Sequence, residues 1–299
     1  WARFQQHWCN RAYKTFKDYD KYLVLIYLIS KVWQNLHDKF TYQSMDEFYS
    51  HEEYIIEKIN LIEISQKLKI PKETIRRKIN EFQDENILLR KGKSIIFNKK
   101  AINYQRPDDT IKTLAVFSSK KFEIFDGKEW FGEAVTQDQI NDFFRKYFTI
   151  CWSRFFKLQI PFLVRWRSFM GDLETWTVWG NIGINSQFNL KKATEGFFKE
   201  DIGYGDYFSH LITKGEQGRG INASSISDIS TIPRATVIRK LKWLTKNGLI
   251  SKNKNLEYSL KDKGKKKQQV NELFLINQTS VNEFLADILD LIKNSKFKI

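Results

Sequence analysis

The chain has 299 residues and carries 50 Lys and Arg against 35 Asp and Glu, a formal net charge of +15. Its 41% hydrophobic and 15% aromatic residues suffice for one large or two ordinary domains, which excludes intrinsic disorder as the main state. The 14 Gly and 4 Pro exclude a collagen-like or linker-like chain, and the 2 Cys exclude a disulfide framework and a Cys-based zinc site.

A helical lead opens the chain. Asp18 or Asp20 can cap a helix that runs to about Leu36. Its inward stripe would consist of Tyr22, Leu25, Ile26, Ile29 and Trp33. This lead and the basic segment after it form a predicted first domain over residues 1–105.

The first basic segment covers residues 61–100 and has a net charge of +6. Within it, the run from Ile70 to Ile79 recurs as Ile232 to Leu241, at an offset of 162 residues. Two related copies in a chain of this length predict an internal duplication. Each half would contain an aromatic helical lead followed by a basic module.

Residues 106–135 are predicted to connect the two halves. Apolar and polar residues alternate around Asp126-Gly127, a pattern that favours a β-hairpin. The apolar positions are Ile111, Leu114, Val116, Phe122 and Ile124.

A second helical lead begins the second domain, predicted over residues 136–299. Thr136 and Gln139 form a capping-box pattern that opens a helix through about Leu158. Pro161 is expected to break this helix, because proline lacks the backbone N–H that the helix interior needs.

Aromatic residues crowd into the 28 residues that begin at Trp152. Two interpretations remain open: an aromatic-lined pocket for an effector, or a core between helices, which is the commoner role of aromatic stripes. The residues are Trp152, Phe155, Phe156, Phe162, Trp166, Phe169, Trp176 and Trp179.

The second basic segment covers residues 221–267 and has a net charge of +9. The 212 residues outside the two segments hold 27 basic and 27 acidic groups, so the whole excess lies in the two related copies. Such confinement is typical of a surface that binds a polyanion, with nucleic acid as the leading candidate.

Residues 221–260 predict two helices joined by a tight turn. Ser224 or Ser225 would cap the first helix. Pro233 would occupy the first position of the second, where its missing N–H costs nothing, and Asn247-Gly248 would end it. Val237, Leu241 and Leu244 would face inward.

A hairpin is predicted after the second helix. One strand would begin at Leu249-Ile250, and Leu256, Tyr258 and Leu260 would lie on its partner, with a Lys-rich wing between them. A helix over Ser280 to Ile292 would close the chain, with Phe284, Leu285, Ile288 and Leu291 inward.

The run from Ile232 to Ile250 resembles the recognition helix of MarR- and IclR-type bacterial winged-helix regulators. The specific part of the resemblance covers residues 221–260, and the first copy matches less well because Glu85-Asn86 stands where Asn-Gly is expected. The resemblance implies a winged helix-turn-helix for each basic module. Together with the duplication and the aromatic leads, it predicts a mainly α fold with small β wings (α+β): two tandem winged helix-turn-helix modules, each preceded by aromatic-rich helices. In that family the helix enters the DNA major groove and the wing contacts the backbone or minor groove.

The candidate DNA contacts lie on the second helix and the wing of each copy. Arg239 is the strongest candidate for a bidentate contact to guanine, and Arg234 and the wing lysines suit phosphates. Thr236 could bond a phosphate or its own helix turn. The set is Lys72, Thr74, Arg76, Arg77, Lys78, Lys91 and Lys93 in the first copy, and Arg234, Thr236, Arg239, Lys240, Lys242, Lys246, Lys252 and Lys254 in the second.

The two copies are not equivalent on their outward faces. The second carries Ala235, Arg239, Lys242 and Lys246, whereas the first carries Glu73, Arg77, Asn80 and Asp84. Because Asp84 repels phosphates where its counterpart Lys246 attracts them, we expect the second module to be the stronger DNA binder.

These patterns predict a bacterial transcription regulator that binds double-stranded DNA sequence-specifically, in the cytoplasm with the nucleoid. RNA polymerase or another protein is a candidate second partner, and monomer and homodimer both remain open. Two alternatives also remain: a plasmid-type replication initiator that binds origin repeats, and a structural winged-helix subunit of a chromosome-organising complex.

Neither catalysis nor membrane insertion is expected. The 4 His form no HxxxH or HxH pair for a metal, and the sequence lacks the nucleophile-elbow and phosphate-loop motifs. We therefore predict no enzymatic activity, no cofactor, no metal and no membrane partner.

Overall fold

The chain is mainly helical, with two small antiparallel sheets. The computed structural model describes residues 1–39, 41–56, 59–92, 94–101, 106–126, 135–193, 219–261 and 266–293. The predicted fold class therefore holds at the level of mainly α with small β elements.

The helices and strands follow one another along the chain in this order: α1 (Ala2–Phe16), α2 (Tyr19–Asp38), α3 (Met45–Ser50), β1 (Glu53–Ile56), α4 (Leu61–Leu68), α5 (Lys72–Asp84), β2 (Leu88–Lys91), β3 (Ser94–Asn98), α6 (Asp108–Asp126), α7 (Gln137–Lys146), α8 (Phe148–Met170), α9 (Leu173–Ala193), β4 (Ile221–Asn222), α10 (Ala223–Ser230), α11 (Arg234–Lys246), β5 (Ile250–Lys252), β6 (Glu257–Leu260) and α12 (Lys267–Lys293).

Two compact units divide the chain, and each takes non-consecutive stretches. Unit 1 comprises residues 1–22 and 163–278, and unit 2 comprises residues 23–162 and 279–299. The consecutive domains predicted over 1–105 and 136–299 do not match this division. The difference arises because α2, α8 and α12 each contribute residues to both units.

The two basic segments have the same element order at the predicted offset of 162. Helices α4 and α5 correspond residue for residue to α10 and α11. The strand orders also agree: β1-β3-β2 in the first sheet and β4-β6-β5 in the second, with all pairs antiparallel. Each helix pair is thus followed by a hairpin, whose second strand lies in the centre of the sheet and also pairs with a short strand from before the helices.

The local geometry that starts and stops these helices is also repeated. Asn60 and Asn222 cap α4 and α10 with their side-chain oxygens, which corrects the predicted caps at Ser224 or Ser225. After α5 and α11, Asn86 and Gly248 take the left-handed conformation at φ 57° and 70°. Asparagine tolerates this region better than most residues, so Asn86 follows α5 in the same conformation in which Gly248 follows α11, although the two residues differ.

Helix α11 begins one residue later than predicted. Pro233 precedes α11 with φ −52° and ψ 134°, and its carbonyl accepts a hydrogen bond from the Val237 amide at 3.0 Å. Pro71 precedes α5 with nearly the same angles. In both copies, proline therefore fixes the backbone conformation at the residue that precedes the helix.

The predicted α2 is confirmed. The Asp18 carboxylate accepts a hydrogen bond from the Lys21 amide at 2.9 Å, as a helix cap should. All five residues of the predicted apolar stripe are buried. In unit 2, the Trp33 ring packs 4.6 Å from the Phe156 ring, between centroids.

The predicted hairpin over residues 111–130 is wrong where the structure describes it, because α6 occupies Asp108–Asp126. Ile111, Leu114, Ala115 and Phe122 are buried at helical spacing, whereas Val116, apolar in the alternating pattern, is only half-buried. The helical period of the apolar residues therefore outweighs the short alternation.

The predicted break at Pro161 is also wrong. The capping box at Thr136 forms, but its helix α7 ends at Lys146, and α8 then runs through Pro161 to Met170. The carbonyl that loses its partner belongs to Lys157, and both Pro161 and Lys157 are exposed. Water can therefore satisfy that carbonyl, while buried neighbours hold the helix together.

The C-terminal helix is longer than predicted, since α12 begins at Lys267. Phe284, Leu285 and Ile288 are buried as expected, and Leu291 is half-buried.

Candidate nucleic-acid interface

Helix α11 separates a buried apolar stripe from an exposed basic face. Val237, Leu241 and Leu244 are completely buried. The outward positions Ala235, Arg239, Lys242 and Lys246 are all exposed, as the helical spacing predicts. Among the residues that the structure describes, the three basic side chains form no hydrogen bond or ion pair, so their charges remain available to a ligand.

The N-terminal end of α11 carries two further candidates. The guanidinium of exposed Arg234 donates a hydrogen bond to the Ser224 hydroxyl on α10 at 3.1 Å. Thr236 is half-buried, and within the described part of the chain its hydroxyl bonds no helix carbonyl.

The wing of this copy is a short hairpin with an ordered turn. The Asn253 carboxamide oxygen accepts hydrogen bonds from the backbone amides of Asn255 and Glu257, both at 2.9 Å. Hydrogen bonds from the side chains of Asn253 and Arg219 lower the pKa of Glu257, so this carboxylate stays charged and bound within the hairpin. Lys252 and Lys254 are exposed on either side of Asn253.

Lys240 does not belong to the exposed face, which corrects its place among the predicted contacts. Its side chain is only 13% exposed and forms an ion pair with Asp172 at the start of α9. Lys78, at the same position of the first copy, is 6% exposed and binds Glu81 at 2.8 Å. Both lysines are therefore committed to the protein and not available to phosphates.

A second acid lies near the Asp172–Lys240 pair. Burial acts to raise the pKa of Asp172, but hydrogen bonds from Lys240 and Thr175 outweigh it and lower that pKa. Burial raises the pKa of Glu174 to about 7, and the charge of Asp172 adds to the shift. Glu174 therefore holds its proton to much higher pH than an exposed carboxyl.

The outward face of the first copy is different. Glu73, Arg77, Asn80 and Asp84 are exposed on α5, as predicted. Three basic residues of this copy are paired with carboxylates: Arg76 with Glu73 at 3.0 Å, Arg77 with Glu81 at 3.7 Å and Lys91 with Glu53 at 2.9 Å. Lys72 is exposed and Thr74 is half-buried, while the predicted contact Lys93 lies outside the described residues.

The two copies therefore differ in the charge of the exposed helix face and in whether the cations on it are paired with carboxylates. Arg77 and Arg239 occupy the same position of the repeat, yet only Arg77 has a carboxylate partner within the described residues. A cation that already has a partner gains less from a phosphate, because the existing pair must be broken or shared. The pairing pattern reinforces the asymmetry that the sequence indicates.

The aromatic residues that follow Trp152 form core in both units. All but the half-buried Phe169 are buried. In unit 1 the Trp166 ring lies 5.5 Å from the rings of Trp179 and Phe274. In unit 2 the Trp152 ring lies 5.2 Å from that of Phe155.

Sequence reasoning missed the exposed position of Leu256. The predicted strand includes it, but β6 begins at Glu257, and Leu256 lies in the wing turn with φ 60° and 60% of its surface exposed. The only available signal is the Asn253-Lys254-Asn255 run, which is typical of a turn.

The part of the chain that the structure describes contains no group of three or more metal-binding side chains, and no helix there is long and apolar enough to cross a membrane. The chain matches no protein-family model, and no curated protein or solved structure is significantly similar to it.

Proposed function

We propose that the chain is a sequence-specific double-stranded DNA-binding protein that regulates transcription through two tandem winged helix-turn-helix modules. The observation that carries the proposal is the exposed basic face of α11, which has no partner among the described residues. It consists of Arg239, Lys242 and Lys246 on a helix whose opposite side is buried. Exposed cations without a partner can neutralise phosphates and contact base edges.

The element order supports the same proposal. Two helices joined by a tight turn, followed by a hairpin with exposed lysines at its tip, give the arrangement of a winged helix-turn-helix module. In this arrangement α11 is the recognition helix, and the wing at Lys252 and Lys254 contacts the backbone. The resemblance of residues 221–260 to MarR- and IclR-type regulators agrees with these roles.

The first module has a lesser role in this proposal. Its exposed helix face mixes Glu73 and Asp84 with Arg77, and its cations are largely paired. It reads a weaker half-site or contacts a protein partner such as RNA polymerase.

Selection from a random 40-bp duplex library tests the proposal. The full chain should enrich a defined sequence, and the variant Arg239→Ala should lose preference at one guanine of that sequence. Enrichment of no sequence at low salt would overturn sequence-specific binding.

Genome-wide footprinting separates the role in transcription from the alternatives. Peaks at promoters are expected for a regulator. A cluster of peaks at one origin would make the protein a replication initiator, and binding without defined peaks would make it a structural subunit of a chromosome-organising complex.

A further inference from the structure

The tip of the second wing combines a strained backbone with an exposed apolar side chain. Leu256 has φ 60°, in the left-handed region that favours Gly and Asn. Asparagine, which suits this conformation, occupies two neighbouring positions, Asn253 and Asn255. A leucine at this φ therefore makes the turn less stable than the commoner residues would.

Packing within the protein does not compensate for this strain. Leu256 is 60% exposed, whereas Leu260, at the far end of β6, is buried. The turn keeps its shape through the Asn253 carboxamide, which accepts two backbone hydrogen bonds, and through backbone hydrogen bonds such as that from the Leu256 amide to the Asn253 carbonyl at 3.2 Å. None of these involves the Leu256 side chain. The leucine side chain thus serves neither the core nor the turn.

The surroundings of Leu256 are cationic. Lys252 and Lys254 are exposed in the same turn. Glu257, the acid next to Leu256, is paired with Arg219 at 3.1 Å. An apolar tip flanked by exposed cations suits a ligand that is anionic outside and apolar inside, and a DNA duplex has this character because its stacked bases lie between phosphate backbones.

The described residues of the first wing include no exposed apolar side chain of this kind. Its turn carries Gly92 at φ 63°, and no atom lies within 4 Å of the place where a side chain would begin. Its hairpin is also shorter, because Lys91 pairs directly with Ser94, while Lys252 pairs with Tyr258. The shorter first wing therefore has a glycine at its left-handed position, whereas the longer second wing has an exposed leucine at its own.

We propose that Leu256 is an apolar wedge that the second wing inserts from the minor groove between two base pairs, unstacking a flexible pyrimidine–purine step and bending the bound DNA. This inference rests on the proposed DNA-binding function. Apolar side chains that enter the minor groove unstack base steps in this way, and TA steps yield more readily than A-tracts. Lys252 and Lys254 would hold the flanking phosphates while the leucine enters.

The test uses two 30-bp duplexes with the same ends and different centres, one of alternating TA and the other an A-tract. Each carries donor and acceptor dyes at its ends, and the full chain is titrated at about 50 mM salt, where sequence-independent binding suffices. The variants are Leu256→Gly, which keeps the backbone angle but removes the wedge, and Leu256→Met, which keeps an apolar side chain. Leu256→Gly should fold at least as stably as the wild type, and a thermal melt checks this.

The wild type and Leu256→Met should shorten the end-to-end distance of the TA duplex and prefer it to the A-tract by about tenfold. Leu256→Gly should bind both duplexes but leave them straight, with the preference reduced to about twofold or less. Equal bending by the wild type and Leu256→Gly would overturn the wedge while leaving DNA binding intact. If the wild type bound neither duplex, the proposed function itself would fail, and the wedge with it.

Discussion

At the scale of single residues, partners decide the role of each basic side chain. Lys240 and Lys242 lie two positions apart on α11, yet Lys240 is bound to Asp172 and Lys242 is exposed without a partner among the described residues. The helical spacing predicts which face is exposed, but it could not predict that an acid from α9 meets Lys240, because that contact spans 68 residues.

Arg239 and Arg77 provide a matched comparison, because they occupy the same position in the two copies. Arg239→Ala should weaken binding to the selected duplex by about 1–3 kcal/mol, since it removes a base contact. Arg77→Ala should weaken it less, since Arg77 already has Glu81 as a partner. Fluorescence anisotropy titrations measure both, and a larger loss for Arg77→Ala would contradict the asymmetric assignment.

Glu174 should make stability depend on pH. Its pKa is about 7 in the folded chain against an ordinary value of 4.5, so the folded state binds more protons between these values. Stability should therefore fall as pH rises from about 4.5 to about 7. Glu174→Gln should remove this slope and raise stability above pH 7 by on the order of 1–2 kcal/mol.

Urea unfolding at pH 5 and pH 8 measures the effect. Asp228→Asn is the control, because it removes the same charge from an exposed site in unit 1. The assignment would be wrong if Glu174→Gln and the wild type showed the same difference between the two pH values.

At the scale of elements, the close approach of the backbone at residue 220 to β6 explains why this residue is a glycine. A Cβ at Gly220 would lie 2.8 Å from the Glu257 Cβ and 3.0 Å from the backbone N and O of Tyr258. Gly220→Ala should therefore destabilise the second sheet by about 1–3 kcal/mol. A backbone cannot move aside as a flexible side chain can, so relaxation should recover little of this loss.

Gly183 on α9 is the matched control, because a Cβ there would meet only Leu260 Cδ1, at 3.8 Å. Gly183→Ala should leave stability unchanged or raise it by up to about 1 kcal/mol, as alanine favours helix. Denaturant unfolding measures both variants, and equal stabilities of Gly220→Ala and wild type would rule out the close approach.

The sequence predicted repeated elements better than elements that lack a second copy. The offset of 162 identifies both helix pairs, because the turn proline and the apolar spacing agree in two places at once. Residues 108–126 have no related copy with which to compare them. Over a few positions, their apolar residues fit both the alternation of a strand and the spacing of a helix. The sequence was also insufficient at Pro161. The helix tolerates this proline because the side of α8 that carries it faces water, and the local sequence does not show which side that is.

The sequence predicted the candidate site only in part. The outward faces of α5 and α11 follow from helical periodicity and are confirmed by their exposure. The ion pairs of Lys240 and Lys91 depend on contacts distant in sequence, and the backbone angle of Leu256 depends on the turn. None of these can be read from local composition.

At the scale of the whole molecule, the net charge of +15 is less informative than its location and pairing. The described part of the second module, residues 219–261, holds nine basic residues and two acidic ones, so most of its cations have no acid to neutralise them. In the first module, carboxylates neutralise several of the basic side chains. We therefore expect one dominant DNA-binding module in a chain that contains two copies.

The salt dependence of duplex binding tests this claim most directly. The triple variant Arg239→Gln, Lys242→Gln, Lys246→Gln removes three charges from the α11 face. A second triple variant, Lys14→Gln, Lys112→Gln, Lys120→Gln, removes three from exposed positions elsewhere. The measurement is the slope of log affinity against log salt for a 40-bp duplex between about 50 and 200 mM.

The wild type should lose orders of magnitude in affinity over this range. The α11 variant should lower the slope by about 2–3, and the control variant should leave it nearly unchanged. A slope near zero for the wild type, or equal slopes for the two variants, would contradict the assignment of DNA binding to the second module.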